Sequence, residues 1–426
     1  MDPIAKQSSA DISSGKTQQL GAAKAFRFNP WLAEFQVDPY PTYHRLRVED
    51  PVHQSFDTWV LTRYADVKAI LRDSRFCADR VPKRIENKCH YLEQQQKSLH
   101  TIAQMSGKFF FFLDPPDHTR LRGLVNQAFS ARLVEQMRPQ VHEIVDKAIN
   151  KTQATGVMDI VIDLSCPLPV IVISRMLGVP AEEAEMLGQW SNVLSRIIDP
   201  LMSLEDYEEL NHVAIKFTDY FRDLIAERRK RPQEDLISAL IGARDQGDKL
   251  SEDELLSVCM VLFVTGEETT VHTIGNGMLA LLRNPDQMEL LKRNPTIIQS
   301  AVEEILRYDS PVQQTARIAL EDVTIGNKTL QAGNNVLVSL GAANRDPAQF
   351  PNPNRLNLLR APNHHLAFGD GIHYCLGAPL ARLQGQIAIS TLVQRLPNLK
   401  LNTDKLEWRK NINIRGLKSL PVSFAP

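Results

Sequence analysis

The stretch FGDGIHYCLG, residues 368–377, places a single cysteine in a glycine-rich loop directly before an apolar helix predicted over residues 378–394. The glycines permit a tight turn that brings the backbone close to the sulfur of Cys375 and to a flat ligand. Backbone N–H groups at the helix N-terminus, together with the positive end of the helix dipole, favour the thiolate over the thiol. The stretch therefore predicts metal ligation by Cys375, whereas a lone cysteine near glycines is more often a buried structural residue.

The complete pattern resembles the haem-binding loop of the cytochrome P-450 monooxygenases, F-G-x-G-x-H-x-C-x-G, and every fixed position is matched. The resemblance implies haem b as the cofactor and Cys375 as the axial thiolate on its iron, a ligand that favours O–O bond cleavage. It implies a mainly α (α+β) fold with a large helical part, a smaller β-rich lobe, and the haem between a long central helix and the cysteine loop. The other loop residues expected to contact haem are Phe368, Gly369, Gly377 and His373, the last of which would hold a propionate.

The chain has 426 residues, with 49 Lys and Arg against 50 Asp and Glu, so no global charge signal points to nucleic acid. Length alone suggests two or three domains, whereas the resemblance implies a single domain over residues 26–426 after a polar, disordered tail at residues 1–25. The five scattered cysteines argue against a disulfide framework or a zinc site and fit a reducing cytoplasm. No uninterrupted apolar run reaches the roughly 18 residues needed to span a bilayer, so no membrane anchor is expected.

A second motif, DPPDHTRLR at residues 114–122, indicates a helix start in which His118 and Arg122 share one face. Such a pair can bind a carboxylate, since arginine offers charged, forked donors. Taken alone, the pair is more often part of a solvated helix face. The family's D-P-P-x-H-x-x-x-R segment binds the haem propionates, and the resemblance carries that role to His118 and Arg122. Arg317 matches a further propionate-binding arginine of the family.

Ser251 and Glu254 have the spacing of a capping box. The apolar pattern after them predicts a helix from Glu252 to Arg283, about 48 Å long at 1.5 Å per residue. The sequence TGEETT, residues 265–270, lies in the middle of this helix. Glycine weakens a helix, and threonine can divert its hydroxyl to a backbone carbonyl. Local opening of the helix here would make room for oxygen and water, but taken by itself such a segment is more often an ordinary polar patch in a helix.

The same hexapeptide resembles the family's oxygen-activation motif, A/G-G-x-D/E-T-T. By this resemblance, Thr269 would hydrogen-bond the bound dioxygen or its water, and Glu268 would help to relay protons from solvent. Thr265 departs from the usual Ala or Gly, so its bulk and hydroxyl would lie near the site of oxygen binding. Glu267 falls at the variable position of the motif, and no role is assigned to it.

Glu304 and Arg307 are three residues apart on a predicted helix that must end before Pro311. An E-x-x-R pattern is common on solvated helices, but its distance from the cysteine loop matches a buried ion network of the family. The resemblance implies that the third member is Arg355, in the segment NPNRL at residues 352–356. We interpret the network as structural and not catalytic, because removal of one partner would leave a buried charge unpaired.

Residues 77–108 are polar and lack clear periodicity, which predicts either a functional loop over the substrate pocket or a solvated surface loop. Other segments expected at the pocket are the central helix, the region after Pro311 and a turn at residues 412–417. The expected lining residues are Phe263, Val264, Thr265, Val312, Gln313 and Ile414. Their largely apolar character favours a hydrophobic substrate of moderate size.

These observations predict a haem-dependent monooxygenase of secondary metabolism that activates dioxygen and hydroxylates or epoxidises a hydrophobic natural product such as a polyketide, macrolide or terpenoid. A ferredoxin and its reductase, which take electrons from NAD(P)H, are the expected electron donors. A fatty-acid hydroxylase is the main alternative, for which Lys83, Arg84 or Lys88 could bind the carboxylate. A peroxide-using enzyme of the same fold would not need the Glu268–Thr269 pair, and a non-catalytic haem sensor would not need an oxygen-relay motif.

Overall fold

The computed structural model describes residues 26–78, 80–93, 98–199, 201–244 and 247–426. The tail predicted over residues 1–25 lies outside the described residues. Within the described ranges the α-helices are α1 (Ala33–Val37), α2 (Tyr40–Glu49), α3 (Tyr64–Arg72), α4 (Arg80–Glu93), α5 (His100–Ser106), α6 (Asp117–Ala128), α7 (Ala131–Gln136), α8 (Arg138–Gln153), α9 (Pro167–Leu177), α10 (Ala184–Leu194), α11 (Leu204–Lys230), α12 (Leu236–Gly242), α13 (Glu252–Arg283), α14 (Pro285–Arg293), α15 (Ile298–Tyr308), α16 (Leu340–Ala343) and α17 (Ala378–Arg395). The strands are β1 (Val52–Ser55), β2 (Thr58–Leu61), β3 (Phe76–Cys77), β4 (Val157–Asp159), β5 (Thr315–Ala319), β6 (Val323–Ile325), β7 (Lys328–Leu330), β8 (Asn335–Val338), β9 (Lys400–Leu401) and β10 (Pro421–Ser423).

The strands form a mixed sheet and two smaller antiparallel ones. The larger sheet has the order β1-β2-β8-β5-β3, in which β2 and β8 run parallel and the other neighbours antiparallel. Strands β4, β10 and β9 form a second sheet, and β6 pairs with β7. An isolated bridge joins Val312 to Ile414. The chain after α15 therefore lies beside the C-terminal turn, as expected for two pocket-lining segments.

Helix α13 is the central element of the helical part. Its capping box forms as predicted, since Ser251 Oγ accepts from the Glu254 amide at 3.3 Å and the Glu254 carboxylate accepts from the Ser251 amide at 2.8 Å. The helix packs against α9, α10, α15 and α17. Most of its residues are buried. A helix with apolar contacts on nearly all sides is typical of the core of a large protein.

Helix α13 is continuous through residues 265–270, which agrees with the ordinary polar patch and not with a local opening. The threonine hydroxyls bond to carbonyls one turn back and leave the backbone ladder in place. Thr265 Oγ1 donates to Val261 O at 2.7 Å, and Thr269 Oγ1 donates to Thr265 O at 3.1 Å. Bonds of this kind satisfy a hydroxyl inside a helix and need not interrupt it.

The prediction of a loop over residues 77–108 is wrong, since α4 and α5 occupy most of the described part of this segment. The side chains of Val81, Ile85 and Leu92 are buried at near-helical spacing. The many polar residues between them hid this period in the sequence. The segment nevertheless contributes to the main cavity of the protein, through Val81 and Arg84.

Two helical stretches, Ile160–Leu177 and Glu252–Arg283, are long and apolar enough to cross a membrane. About 67% of the most apolar part of the first stretch and 78% of that of the second are buried inside the protein. This burial is typical of core helices in globular proteins, which reach a similar length and hydropathy.

Candidate active site

A cavity of about 480 Å³ lies between the cysteine loop and helix α13. Its size is in the range of small-molecule sites, and its surface is mostly apolar. Cys375 and Gly377 line it on the loop side, and Thr269 lines it on the helix side. Val312 and Ile414 form a further part of its wall. The fold thus brings four segments that are distant in sequence to one chamber.

The cysteine loop presents Cys375 to this cavity next to several hydrogen-bond donors. The Cys375 amide donates to Phe368 O at 3.0 Å, and α17 begins three residues later at Ala378. Burial raises the pKa of the Cys375 thiol, whereas the N–H groups of Gly377 and Ala378 and the charge of Arg122 oppose this effect. Donors of this kind are what a thiolate ligand requires.

Two glycines of the loop are required by its geometry. Gly369 and Gly371 have φ angles of 71° and 69°, in the left-handed region that glycine adopts without strain. At Gly371 a Cβ atom would in addition lie 2.5 Å from Leu71 O, near the end of α3. The glycine pattern noted in the sequence therefore reflects both the turn and the close approach of the loop to α3.

A basic cluster, defined as His118, Arg122, Arg317 and His373, lies beside the cysteine loop. The rings of His118 and His373 are 4.5 Å apart between centroids. Burial and the neighbouring Arg317, His118 and Arg122 lower the pKa of His373 to about 3. Both ring nitrogens of His118 and Nδ1 of His373 are buried without a hydrogen-bond partner. The cluster therefore has capacity for an anionic group.

Haem b fits this arrangement, because it is a planar group with two carboxylates and a metal that accepts a thiolate. Buried donors without partners are costly unless a ligand satisfies them. The basic cluster would bind the two propionates, and Cys375 would ligate the iron. Asp114 is close by, with its Oδ1 4.0 Å from His373 Nε2, and adds an acceptor at the edge of the cluster.

Comparison with known proteins agrees with this fit. The family model for Cytochrome P450 matches residues 55–419. The polyketide biosynthesis cytochrome P450 PksS of Bacillus subtilis (strain 168) is 40% identical over 412 residues, which cover 93% of this chain and 98% of PksS. This chain is a cytochrome P450. The P450 is also similar to the 6-deoxyerythronolide B hydroxylase of Saccharopolyspora erythraea, with 41% identity over 401 residues that cover 91% of this chain and 96% of the hydroxylase.

The fold of this P450 matches solved structures of the family. The crystal structure of P450BioI in complex with hexadec-9Z-enoic acid ligated acyl carrier protein has a TM-score of 0.84 and 40% identity. The match covers 92% of this chain and 99% of P450BioI. The predicted family, fold and cofactor are therefore confirmed. The P450 is a haem-thiolate monooxygenase, and Cys375 is the cysteine that lines its cavity.

Most of the residues predicted for the site line this cavity. They are Arg122, Val264, Thr265, Glu268, Thr269, Val312, Arg317, Phe368, Gly369, His373, Cys375, Gly377 and Ile414. His118 lies behind His373 and contacts its ring. Thr265 lies in the cavity wall, and its hydroxyl donates to Val261 O.

Phe263 and Gln313 were expected in the pocket wall, but neither lines the cavity. Phe263 is buried and packs against Phe217 of α11, because a helical period of 3.6 residues turns it away from the face that carries Val261 and Thr265. Gln313 lies in extended chain whose side chains alternate, so its two neighbours reach the cavity instead. Its Nε2 donates to the Ser310 carbonyl at 2.7 Å.

The prediction that Arg355 is the third member of the ion network is wrong. Glu304 forms a two-point pair with Arg307, at 2.7 and 2.8 Å, as predicted. The second guanidinium on Glu304 is that of Arg360, whose Nε lies 3.0 Å from Oε2. Arg355 is exposed and contributes only its backbone carbonyl, 3.4 Å from Arg307 Nη2. The irregular chain around residue 355 turns this side chain outward.

Glu268 connects the cavity to a partly exposed cation. Its side chain is 12% exposed, and its Oε1 lies 3.7 Å from His272 Nε2 and 3.6 Å from Arg409 Nη1. Burial alone would raise the pKa of Glu268, but His272 and the charge of Arg409 outweigh it and lower the pKa. Arg409 is 35% exposed. Solvent can therefore reach the group next to the cavity-lining carboxylate.

Glu267 was assigned no role from the sequence, yet it is an unusual group in this helix. It is 6% exposed, its Oε1 lies 3.4 Å from Asn192 Nδ2, and its Oε2 is buried without a hydrogen-bond partner. Burial raises its pKa to about 7, with a further rise from Glu268 and opposing effects of Ser191 and Arg409. The sequence could have indicated that Glu267 faces away from the cavity, because it follows Thr265 by two residues on a helix.

We expect Glu267→Gln to stabilise the protein at alkaline pH but not at acidic pH. The folded-state pKa of about 7 exceeds the ordinary value of 4.5. Between pH 4.5 and pH 7 the folded state therefore keeps a proton on Glu267 that the unfolded state loses. The wild-type protein becomes less stable as the pH rises through this range, because the buried carboxyl must then ionise or unfold. At pH 8 the gain should be on the order of 3 kcal/mol in free energy of unfolding, and at pH 4.5 close to zero.

Urea unfolding of the haem-loaded enzyme at both pH values measures this difference. Other titrating groups cancel when the variant is compared with wild type at each pH. Glu185→Gln, at an exposed position of α10, is the matched control and should show no such pH dependence. An equal effect of Glu267→Gln at both pH values would contradict the assignment of a buried, protonated carboxyl.

Proposed function

We propose that this P450 hydroxylates or epoxidises a hydrophobic natural product, with a polyketide, macrolide or terpenoid as the substrate class. The observation that carries the proposal is the mostly apolar cavity with Cys375 on one side and Thr269 and Glu268 on the other. Two similar proteins are named for polyketide biosynthesis and for hydroxylation of 6-deoxyerythronolide B, which supports this substrate class. Such a cavity excludes water and favours apolar ligands.

When bound, haem with a thiolate ligand supplies the oxygen-activating chemistry. The chain's own residues would position the reactants and move protons. The Thr269 hydroxyl, which donates to Thr265 O, can turn to hydrogen-bond a molecule in the cavity. Glu268 would receive protons from solvent beside Arg409 and pass them towards Thr269. The apolar residues Leu262, Val264 and Leu306 would hold the substrate and exclude water from the remaining wall.

Redox partners supply the electrons that a P450 of this class needs. We propose a ferredoxin and its NAD(P)H-dependent reductase for this role. We also propose that residues 26–426 act as one catalytic domain in the cytoplasm. Reconstitution with a ferredoxin system, dioxygen and a substrate panel tests the electron donors, because a non-catalytic haem sensor would consume no reductant and form no product.

A spectral titration tests the substrate class. Ferric enzyme would be titrated with a panel of macrolides, linear polyketides, terpenoids and fatty acids. A substrate that expels water from the metal shifts the absorption spectrum from the low-spin to the high-spin form. A shift with polyketides or macrolides supports the proposed class, a shift with fatty acids alone favours the alternative, and a shift with none of them contradicts both.

Thr269→Ala should uncouple reductant consumption from product formation. Loss of the hydroxyl removes a positioned proton donor, and general acid groups typically contribute 100-fold or more. We expect product per reductant to fall by roughly tenfold, with peroxide released instead. Thr391→Ala is the matched control, since Thr391 also donates to a carbonyl one turn back but does not line the cavity. Unchanged coupling in Thr269→Ala, or efficient turnover with peroxide alone, would favour a peroxide-using enzyme.

A further inference from the structure

One cationic side chain in the cavity wall, Arg84 of α4, lies apart from the basic cluster. Among the described residues, the cavity is lined by the arginines Arg84, Arg122 and Arg317. The last two belong to the basic cluster and fit the propionates. Arg84 instead contacts the segment after α10, where its Nη2 donates to the Ile197 carbonyl at 2.5 Å. It is therefore a charge available to a second ligand.

The hydrogen-bonding capacity of Arg84 is incompletely used. Its Nε is buried and has no hydrogen-bond partner. In the part of the chain that the structure describes, no carboxylate forms an ion pair with it. Burial and the nearby Asp199 carboxylate raise the pKa of the neighbouring Tyr207, whereas the charge of Arg84 and its hydrogen bond to Tyr207 oppose that rise. A guanidinium with a dry, unpaired N–H group is costly unless an anion completes its coordination.

Apart from Tyr207 and Asp199, the part of the cavity wall around Arg84 carries apolar groups and neutral amides. Val81, one turn before it, and Ile198 also line the cavity. The Asn413 amide donates to the Ile198 carbonyl at 3.2 Å and lines the same chamber. Gln314 also lines it and has a buried Oε1 without a partner. A ligand would therefore meet a polar end at Arg84 and an apolar wall elsewhere.

We infer that Arg84 binds the carboxylate of the substrate, so that the substrate is an amphipathic acid with a long apolar part. This inference rests on the proposed function, because it names the substrate class of the same cavity. Arginine is suited to the role, since its planar fork can donate two parallel hydrogen bonds to one carboxylate. Linear polyketide acids and fatty acids share this chemistry, whereas neutral macrolactones lack it.

The test compares three probes of equal chain length: dodecanoic acid, its methyl ester and dodecan-1-ol. Each would be titrated into haem-loaded wild-type enzyme and the variants Arg84→Gln and Arg84→Lys at pH 7.5. Isothermal titration calorimetry gives the dissociation constants, and the spin-state shift gives a second readout. Lys88→Gln, on an exposed position of the same helix, is the matched control.

We expect the acid to bind wild type about tenfold more tightly than the alcohol or ester. Arg84→Gln should weaken acid binding about tenfold and change alcohol binding less than twofold, while Arg84→Lys should retain part of the preference. Lys88→Gln should leave all three affinities unchanged.

Three results would overturn the inference. Equal losses for acid and alcohol would mean that Arg84 only ties α4 to the Ile197 segment. Equal affinity for acid and ester would mean that a carbonyl suffices. No binding of dodecanoic acid up to its solubility limit would exclude an acid site. Failure of the proposed function is distinct, since it would appear as absence of oxygenated product from any panel member in the reconstituted system, whatever the acid affinity.

Discussion

Glu304→Ala should lower the free energy of unfolding by about 3–5 kcal/mol, because it leaves the buried Arg307 guanidinium without its counter-charge. Both side chains are fully buried, with 0% exposure. Besides Arg307, the Glu304 carboxylate accepts from Arg360 Nε and the Asn357 amide, both at 3.0 Å, and from Asn363 Nδ2 at 3.3 Å. One substitution therefore removes the acceptor for donors on four residues. Burial lowers the pKa of Arg307, and its hydrogen bonds and ion pair with Glu304 oppose that effect.

Two further variants separate the corrected network from the one expected from the sequence. Arg360→Ala should cost about 1–3 kcal/mol, since it removes a charge-assisted bond to Glu304. Arg355→Ala should stay within about 0.5 kcal/mol of wild type, because its side chain is exposed. Urea unfolding of haem-loaded proteins, followed by circular dichroism, gives all three values. A larger loss for Arg355→Ala than for Arg360→Ala would contradict the network seen in the structure.

The elements with strong local signals could be predicted from the sequence. Helix α13 begins and ends at the expected residues, Glu252 and Arg283, because a capping box precedes it and an apolar pattern continues without a break. The cysteine loop could also be predicted, since Gly369 and Gly371 need positive φ angles that few other residues adopt. In both places the local sequence alone restricts the backbone.

Phe263 and Gln313 lie in segments that line the cavity, but on faces of those segments that point away from it. The periods of 3.6 and 2 residues already separate Phe263 from Thr265 and Gln313 from Val312. Applied to these segments, they would have excluded Phe263 and Gln313 from the wall. In α4 the period was present as well, at Val81 and Ile85, but charged residues between them masked it.

Other features depend on tertiary contacts that no local pattern indicates. Arg355 and Arg360 are five residues apart in irregular chain, so no periodicity tells which guanidinium reaches Glu304. A second network joins Glu303 to Arg382 at 2.6 Å and to His365 at 3.0 Å. Burial alone would raise the pKa of Glu303, but these two partners outweigh it and lower the pKa to about 2. Glu303 and Arg382 lie on α15 and α17, which pack against each other, and His365 lies in the irregular chain that connects these parts of the sequence.

Cys375→Ser should abolish the thiolate-type absorption of the reduced carbon monoxide complex and lower monooxygenation by roughly 100-fold or more. The hydroxyl of serine is a much weaker electron donor than a thiolate. The fold should persist, because the two side chains differ by one atom and the loop is held by backbone contacts such as the Cys375 amide to Phe368 O. Haem should still be retained to a measurable extent, since the basic cluster is unchanged.

Cys166→Ser is the control for this experiment, because Cys166 is a half-buried free thiol outside the cavity wall. It should keep the thiolate-type spectrum and wild-type turnover. Haem content, the spectrum of the carbon monoxide complex and product formation would be measured on the same samples, so that loss of cofactor is distinguished from loss of the ligand. If Cys375→Ser retained both the spectrum and turnover, another thiol would have to ligate the iron. Cys77, Cys166 and Cys259 do not line the cavity, so this result would also contradict the position of the site between the cysteine loop and α13.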